Sequence, residues 1–88
     1  MKTHELKTDP DAFDGSWRGV KPWEIRFNDR DFKVGDRLSL RETIYTGEEM
    51  KNGKPLEFTG RSICLDILYV LSGPIYGLSD GWVIMSVN

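Results

Sequence analysis

The chain has 88 residues, a formal net charge of −2 and 39% hydrophobic residues. This length predicts one domain spanning residues 1–88, and the apolar content is too high for a disordered protein. The slightly acidic balance excludes a broad nucleic-acid surface that works by neutralising phosphates, because such surfaces carry a large positive excess.

Cysteine and histidine each occur once, as Cys64 and His4. An internal disulfide and a zinc site made only of protein ligands are therefore excluded. Cys64 lies in the apolar run 63–65, so we expect a buried thiol. No apolar stretch approaches the roughly 20 residues of a membrane-crossing helix, and the polar N-terminus does not resemble a secretion signal. We expect a cytoplasmic monomer with no metal, no cofactor and no membrane partner.

The first predicted elements are a strand over residues 3–7 and a short helix after it. Pro10 suits the first position of the helix, because its missing N–H has no partner there. Phe13 and Trp17 are four residues apart, so they share one helix face and are both expected in the core. Gly19 is expected to end the helix.

The next predicted strand, residues 23–27, alternates apolar and charged side chains. Glu24 and Arg26 should share one face of it, and Trp23 and Ile25 the other. We call the charged face, with Lys21, the charged ledge. The apolar face is expected to anchor it.

Three further strands are predicted over residues 37–43, 58–71 and 82–87. One face of the long strand should carry five apolar residues of one parity: Ile63, Leu65, Ile67, Tyr69 and Leu71. The segment 45–55 is read as a polar loop, either a lid or a plain connection, with a hairpin turn at Asn52-Gly53. The predicted fold is α+β and mainly β, a barrel of five or six strands with one short helix after the first strand. Closure would protect the sheet edges.

One motif carries a family resemblance. The pattern Gly19-x-Lys21-x-x-Glu24-x-Arg26 resembles the signature of the ASCH domain, a member of the PUA-like superfamily of small β-barrels. The turn from Phe32 to Asp36 fits the same pattern. The runs Glu24 to Phe32 and Tyr76 to Val83 resemble a small phage and bacterial subfamily of unknown function. The resemblance implies a cleft between helix and barrel that recognises RNA or a modified nucleotide.

The resemblance also implies roles for single residues. Lys21 would meet a phosphate or a base oxygen, and Arg26 a phosphate or a base edge. Glu24 would accept from an exocyclic amine, while an aromatic side chain, from Trp23, Tyr76 or Trp82, would stack on a base. The predicted ligand-binding residues are Lys21, Trp23, Glu24, Arg26, Asp29, Arg30 and Tyr76.

Three alternatives remain open from the sequence. The charged ledge can be a solvated ion-pair surface, with Asp29 and Asp31 capping turn amides. It can also dock a protein partner. A third alternative is an amidohydrolase acting on an acylated nucleoside such as N4-acetylcytidine, because some ASCH-like proteins use a lysine, a threonine and a glutamate for this reaction. Lys21 matches the lysine, but Glu24 stands at the threonine position, so Lys21 and Glu24 would be the acid–base pair.

Overall fold

The computed structural model describes residues 1–88 as five strands and two short helices. In chain order these are β1 (Thr3–Thr8), α1 (Pro10–Trp17), β2 (Trp23–Phe27), β3 (Arg37–Thr43), α2 (Gly47–Lys51), β4 (Phe58–Ser72) and β5 (Trp82–Val87). The strands form one sheet in the order β1-β3-β4-β5-β2. Only β1 and β3 pair in parallel. The predicted α+β, mainly β class is confirmed.

The long strand β4 joins the two halves of the sheet, β1-β3 and β5-β2. Its residues 58–66 pair with β3, and its residues 67–72 pair with β5. A register shift between Ile67 and Tyr69 marks a bulge, and bulges bend a strand and increase its twist. The outer strands β1 and β2 are linked by side chains only, and no backbone ladder joins them. The predicted backbone closure of the barrel is therefore wrong, and we call the gap between β1 and β2 the seam.

The core lies inside the bent sheet and beneath α1. It contains nine buried apolar side chains: Leu6, Phe13, Phe32, Leu38, Leu40, Ile67, Val83, Met85 and Val87. The prediction for α1 is half correct, because Phe13 is fully buried whereas Trp17 is 49% exposed. Trp17 stacks on Phe13 with 5.7 Å between ring centroids, and the Arg61 guanidinium lies 4.9 Å from the Trp17 ring. Trp17 thus covers the core from outside.

The bulge also changes which side of β4 faces the core. Ile67 is buried and Val70 packs against the core, whereas Tyr69 is 61% exposed. The expectation of one apolar parity along the whole strand fails beyond Ile67, because the extra residue of a bulge reverses the alternation. Cys64, expected to be buried, is exposed. Its neighbours in the apolar run point to the core, and alternation turns Cys64 to the opposite face.

The segment 45–55 contains the second helix, which the sequence reading missed. A reciprocal capping box starts α2: the Glu49 amide donates to Thr46 Oγ1 at 3.1 Å, and the Thr46 amide donates to Glu49 Oε1 at 3.0 Å. Gly53 follows with a φ of +106°, so Asn52-Gly53 ends a helix and does not form a hairpin turn. Neither α1 nor α2 has the length and apolar character needed to cross a membrane.

Two nearly buried acids fasten the β1-β3-β4 half of the sheet. His4 Nε2 lies 2.9 Å from Asp36 Oδ2, and this bond, with the Lys2 amide, lowers the pKa of Asp36. Arg61 donates to both oxygens of Glu42, at 3.0 and 2.9 Å. This paired bond lowers the pKa of the Glu42 carboxyl and raises that of the Arg61 guanidinium. Each acid links elements distant in sequence.

Candidate functional site

The charged ledge faces the interior of the protein. Glu24 is 1% exposed, whereas Trp23 and Ile25 on the other face are 46% and 39% exposed. The predicted parity of β2 is therefore correct, but the expected direction is reversed. The register explains the reversal, because Glu24 lies opposite the core residue Met85 of β5. Directly paired residues of an antiparallel ladder share one face of the sheet.

Three side chains surround the buried carboxylate of Glu24. Its Oε2 atom accepts from the Lys21 ammonium and, at 3.3 Å, from the Ser16 hydroxyl. Its Oε1 atom lies 3.0 Å from Arg26 Nη1 but accepts no well-formed hydrogen bond. A buried charge is tolerated only when it is paired, and Glu24 has a cation at each oxygen. The carboxylate therefore fixes the positions of Lys21 and Arg26.

The end of α1 places Lys21 beside Ser16. The amides of Val20 and Lys21 both donate to the Gly15 carbonyl, at 3.0 and 3.1 Å, so the chain folds back on the helix. Gly19 permits this turn with a φ of +75°. A Cβ atom at Gly15 would lie 3.1 Å from the Lys21 Cβ, so the absence of a side chain there allows the close approach. Gly15 weakens the helix but shapes the site.

A small cleft opens between α1 and the sheet at this point. Its volume is about 110 Å³, and it is lined by Ser16, Gly19, Lys21, Pro22, Leu65, Val87 and Asn88. Ligand pockets usually have about 300–1,000 Å³, so this cleft accommodates one ring or a small acyl group. Lys21 and Ser16 both line it, and Glu24, which binds both of them, does not.

The seam holds a second cavity, at the other side of Glu24. Arg26 donates from Nη1 to the Ile25 carbonyl on β2 at 2.8 Å and from Nη2 to the Lys7 carbonyl on β1 at 3.4 Å. Arg30 donates to the Glu5 carbonyl. The cavity between them has a volume of about 210 Å³, and its lining residues are Leu6, Lys7, Arg26, Phe27, Asp29, Arg30 and Phe32. Arginine side chains thus replace the missing ladder and line a pocket.

The predicted site residues therefore fall into three groups. Lys21 lines the cleft, and Arg26, Asp29 and Arg30 line the seam cavity, with Glu24 between them. Three aromatic residues lie outside both cavities: Trp23, Tyr76 and Trp82. Tyr76 is 92% exposed in the loop before β5. The Lys21 ammonium lies 4.8 Å from the Trp23 ring on the outer face.

Sequence reasoning missed four residues of this arrangement: Lys7, Ser16, Phe27 and Phe32. A signal existed for Ser16, which follows the core residue Phe13 by three positions and so lies on the same helix face. Lys7 and Phe32 come from distant segments and meet only through the fold. The largest groove, about 550 Å³ over α2, is lined by four exposed residues without an apolar side chain, unlike usual ligand pockets.

The comparisons with known proteins place the chain in a family. The sequence model of the family described as "Domain of unknown function (DUF3850)" matches residues 3–87. The chain belongs to this family. A search of curated proteins found no match.

Proposed function

We propose that this DUF3850 domain binds RNA or a modified nucleotide, with Lys21 in the cleft between α1 and the sheet as the central contact. One observation supports the proposal above all. A carboxylate that is 1% exposed, Glu24, holds a lysine and an arginine that each line a different cavity. An ion pair used only for stability does not need to present its cations to two cavities. The resemblance of the Gly19–Arg26 motif to the ASCH signature, and with it a PUA-like fold, belongs to the same proposal.

The size of the cleft limits which part of a ligand can enter it. Its volume of about 110 Å³ suits a ring edge or its substituent, and a base substituent would meet the Lys21 ammonium there. The ammonium is a point-charge donor suited to a carbonyl or phosphate oxygen. Glu24 acts through Lys21, because its carboxylate is buried, does not line the cleft and is paired with Lys21 and Arg26. We therefore assign Glu24 a positioning role in place of direct base reading.

Fluorescence titration tests this proposal. Wild type and Lys21→Ala are titrated with cytidine, N4-acetylcytidine and a short single-stranded RNA, and Trp23 beside Lys21 serves as the reporter. Lys54→Ala is the matched control, because its ammonium also lies over an aromatic ring, that of Tyr45, and neither residue lines the cleft. We expect saturable quenching that is lost in Lys21→Ala and kept in Lys54→Ala. Equal binding by wild type, Lys21→Ala and Arg26→Ala would refute the proposal.

A second candidate function, amidohydrolysis of an acylated nucleoside, is favoured by one specific contact. The Ser16 hydroxyl lies 3.3 Å from Glu24 Oε2, next to Lys21 and at the wall of the cleft. The Ser16 hydroxyl would thus take the place of the threonine hydroxyl that is missing because position 24 is a glutamate. Glu24 would take the Ser16 proton as Oγ attacks the acyl carbon, Lys21 would protonate the departing amine, and water would then release the acid from Ser16.

Product detection separates the two candidates. The protein is incubated with N4-acetylcytidine, and cytidine and acetate are quantified for wild type, Ser16→Ala and Lys21→Ala. Turnover that needs both residues supports the enzyme. Binding without turnover supports the nucleotide-binding function alone. The docking alternative has less support, because the charged ledge on which it was based lies inside the protein.

A further inference from the structure

We infer that the seam cavity is a phosphate-binding site, at which Arg26, Arg30 and Lys7 hold the phosphate group of the ligand. The inference extends the proposed function, since it takes the phosphate to belong to a nucleotide or an RNA. Nothing in the motif assigns a phosphate to Lys7 or to the gap between β1 and β2.

The charges that line the cavity carry the inference. Lys7, Arg26 and Arg30 line the cavity with one carboxylate, that of Asp29, and Arg26 is also paired with the buried Glu24. Asp29 is a weak partner, because its Oδ1 lies 3.9 Å from Arg30 Nε and its side chain is 67% exposed. Lys7 takes part in none of the ion pairs of the chain. Lys7 and Arg30 therefore have only this weak carboxylate partner, and an anion with several oxygens would neutralise the excess positive charge.

Hydrogen bonds orient both arginine side chains but leave donor groups available to a ligand. Arg30 donates to a neutral carbonyl, that of Glu5, which orients its guanidinium without cancelling its charge. Arg26 Nη2 makes two contacts of 3.4 Å, to the Lys7 carbonyl and the Thr8 hydroxyl. These distances lie beyond the usual 2.7–3.2 Å of such bonds. A phosphate oxygen could replace both contacts at little cost.

The loop that carries Arg30 is anchored at both ends. The Asn28 amide donates to the Gly81 carbonyl at 2.7 Å, and the Phe32 amide donates to Asn28 Oδ1 at 2.9 Å. Phe32 itself is 4% exposed and packs edge-on against His4. A loop fixed in this way presents its guanidinium with little ordering cost on binding.

The size and the apolar walls of the seam cavity indicate that its ligand is larger than a free phosphate ion. About 210 Å³ leaves room beside a phosphate for part of an attached sugar or base, and Phe27 and Phe32 provide the apolar wall for it. A carboxylate ligand would use one arginine fork, whereas a phosphate offers oxygens to two guanidinium groups and an ammonium. The arrangement therefore suits a phosphate ester.

Calorimetric titration tests the site with four probes: orthophosphate, cytidine, cytidine 5′-monophosphate and the dinucleotide CpC. The proteins are wild type, Lys7→Gln, Arg30→Gln and the control Arg37→Gln. Arg37 is an exposed arginine paired with Asp66 at 3.2 Å, near the start of β1 and away from the seam. Arg37→Gln removes the same single positive charge as Arg30→Gln. Circular dichroism checks that each variant is folded.

We expect the monophosphate to bind wild type at least about tenfold more tightly than cytidine, the scale of one hydrogen bond to a charged group. Lys7→Gln and Arg30→Gln should each remove most of this advantage, whereas Arg37→Gln keeps it. If CpC binds more tightly than the monophosphate, the phosphate that the seam cavity recognises is an internal phosphodiester. If the monophosphate binds more tightly, it is a terminal phosphate.

Two results would overturn the inference. One is equal affinity of wild type for cytidine and its monophosphate, which leaves the proposed nucleotide site intact but removes the phosphate from the seam. The other is an equal loss in Arg37→Gln, which shows an effect of net charge alone. Binding of orthophosphate that needs Lys7 and Arg30, without binding of any nucleoside or RNA, would instead support the seam site and refute the proposed function.

Discussion

Arg26 Nη1 lies 3.0 Å from Glu24 Oε1, and both residues project from the inner face of the edge strand β2. The pair joins two features that the sequence presents separately. Glu24 ties the strand to the end of α1 through Ser16 and Lys21, and Arg26 ties the same strand to β1 across the seam. One ion pair therefore links the cleft to the seam cavity.

The Glu24 cluster should contribute strongly to stability. Glu24→Gln removes the anion and leaves the Lys21 and Arg26 cations close together in a mostly buried setting. We expect a loss of about 3–5 kcal/mol in the free energy of unfolding, measured by urea denaturation. Asp66→Asn removes the exposed partner of Arg37 and should cost less than about 1 kcal/mol. Similar losses for both variants would mean that the Glu24 cluster is no stronger than a surface pair.

The two aromatic residues of α1 should differ in their importance for folding. Phe13 is fully buried, whereas Trp17 is about half exposed. Phe13→Ala should therefore destabilise the protein by about 3–5 kcal/mol, and Trp17→Ala should cost clearly less because half of its surface already meets water. Thermal and urea unfolding of the two variants measure the difference. A larger loss for Trp17→Ala would contradict the observed packing.

Acid should destabilise the protein in part through Asp36. Its pKa in the folded protein lies below the usual 3.8, chiefly because of the bond to His4. The unfolded chain then binds more protons than the folded one, so this contribution is present above pH 3.8 and is lost as the pH falls through the folded pKa. Asp36→Asn should lower the melting temperature at neutral pH and flatten its decline in acid. An unchanged acid slope would contradict this assignment.

The single thiol should react in the native state. Cys64 is exposed on β4, so one equivalent of an aromatic disulfide reagent should react without denaturant. Cys64→Ser should change the unfolding free energy by less than about 0.5 kcal/mol, as is usual for surface positions. A thiol that reacts only after addition of urea would show that Cys64 is buried, as the apolar run 63–65 alone suggests.

The sequence predicted the strands well, because period-two alternation and turn residues are local signals. It could not predict the direction of β2. Because Trp23 and Ile25 are apolar, the sequence suggests that they face the core. Only the register with β5 and the partners of Glu24 show that Glu24 faces the core instead. The bulge near Ile67 is similarly invisible in a run of uniformly apolar residues. The helix α2 was readable from Thr46-x-x-Glu49, a capping box.

The site itself could be predicted only in part. Lys21, Glu24 and Arg26 are close in sequence, so a motif reveals them. Lys7 and Ser16 join them through the fold, since Lys7 lies on the other side of the seam and Ser16 on α1. A contact between two segments that carry no shared pattern leaves no trace in a single sequence. Trp23 and Trp82, expected to stack bases, lie on the outer face because β2 is reversed, and Tyr76 lies in the exposed loop before β5.

The most direct test of the central claim is a map of amide chemical shifts during titration with cytidine 5′-monophosphate. We expect the shifts to concentrate around the two cavities, at Ser16, Gly19 and Arg30, and to be absent from the outer face at Tyr69 and Leu71. Shifts confined to that outer face, or no shifts at any concentration, would contradict a nucleotide site built on Lys21, Glu24 and Arg26.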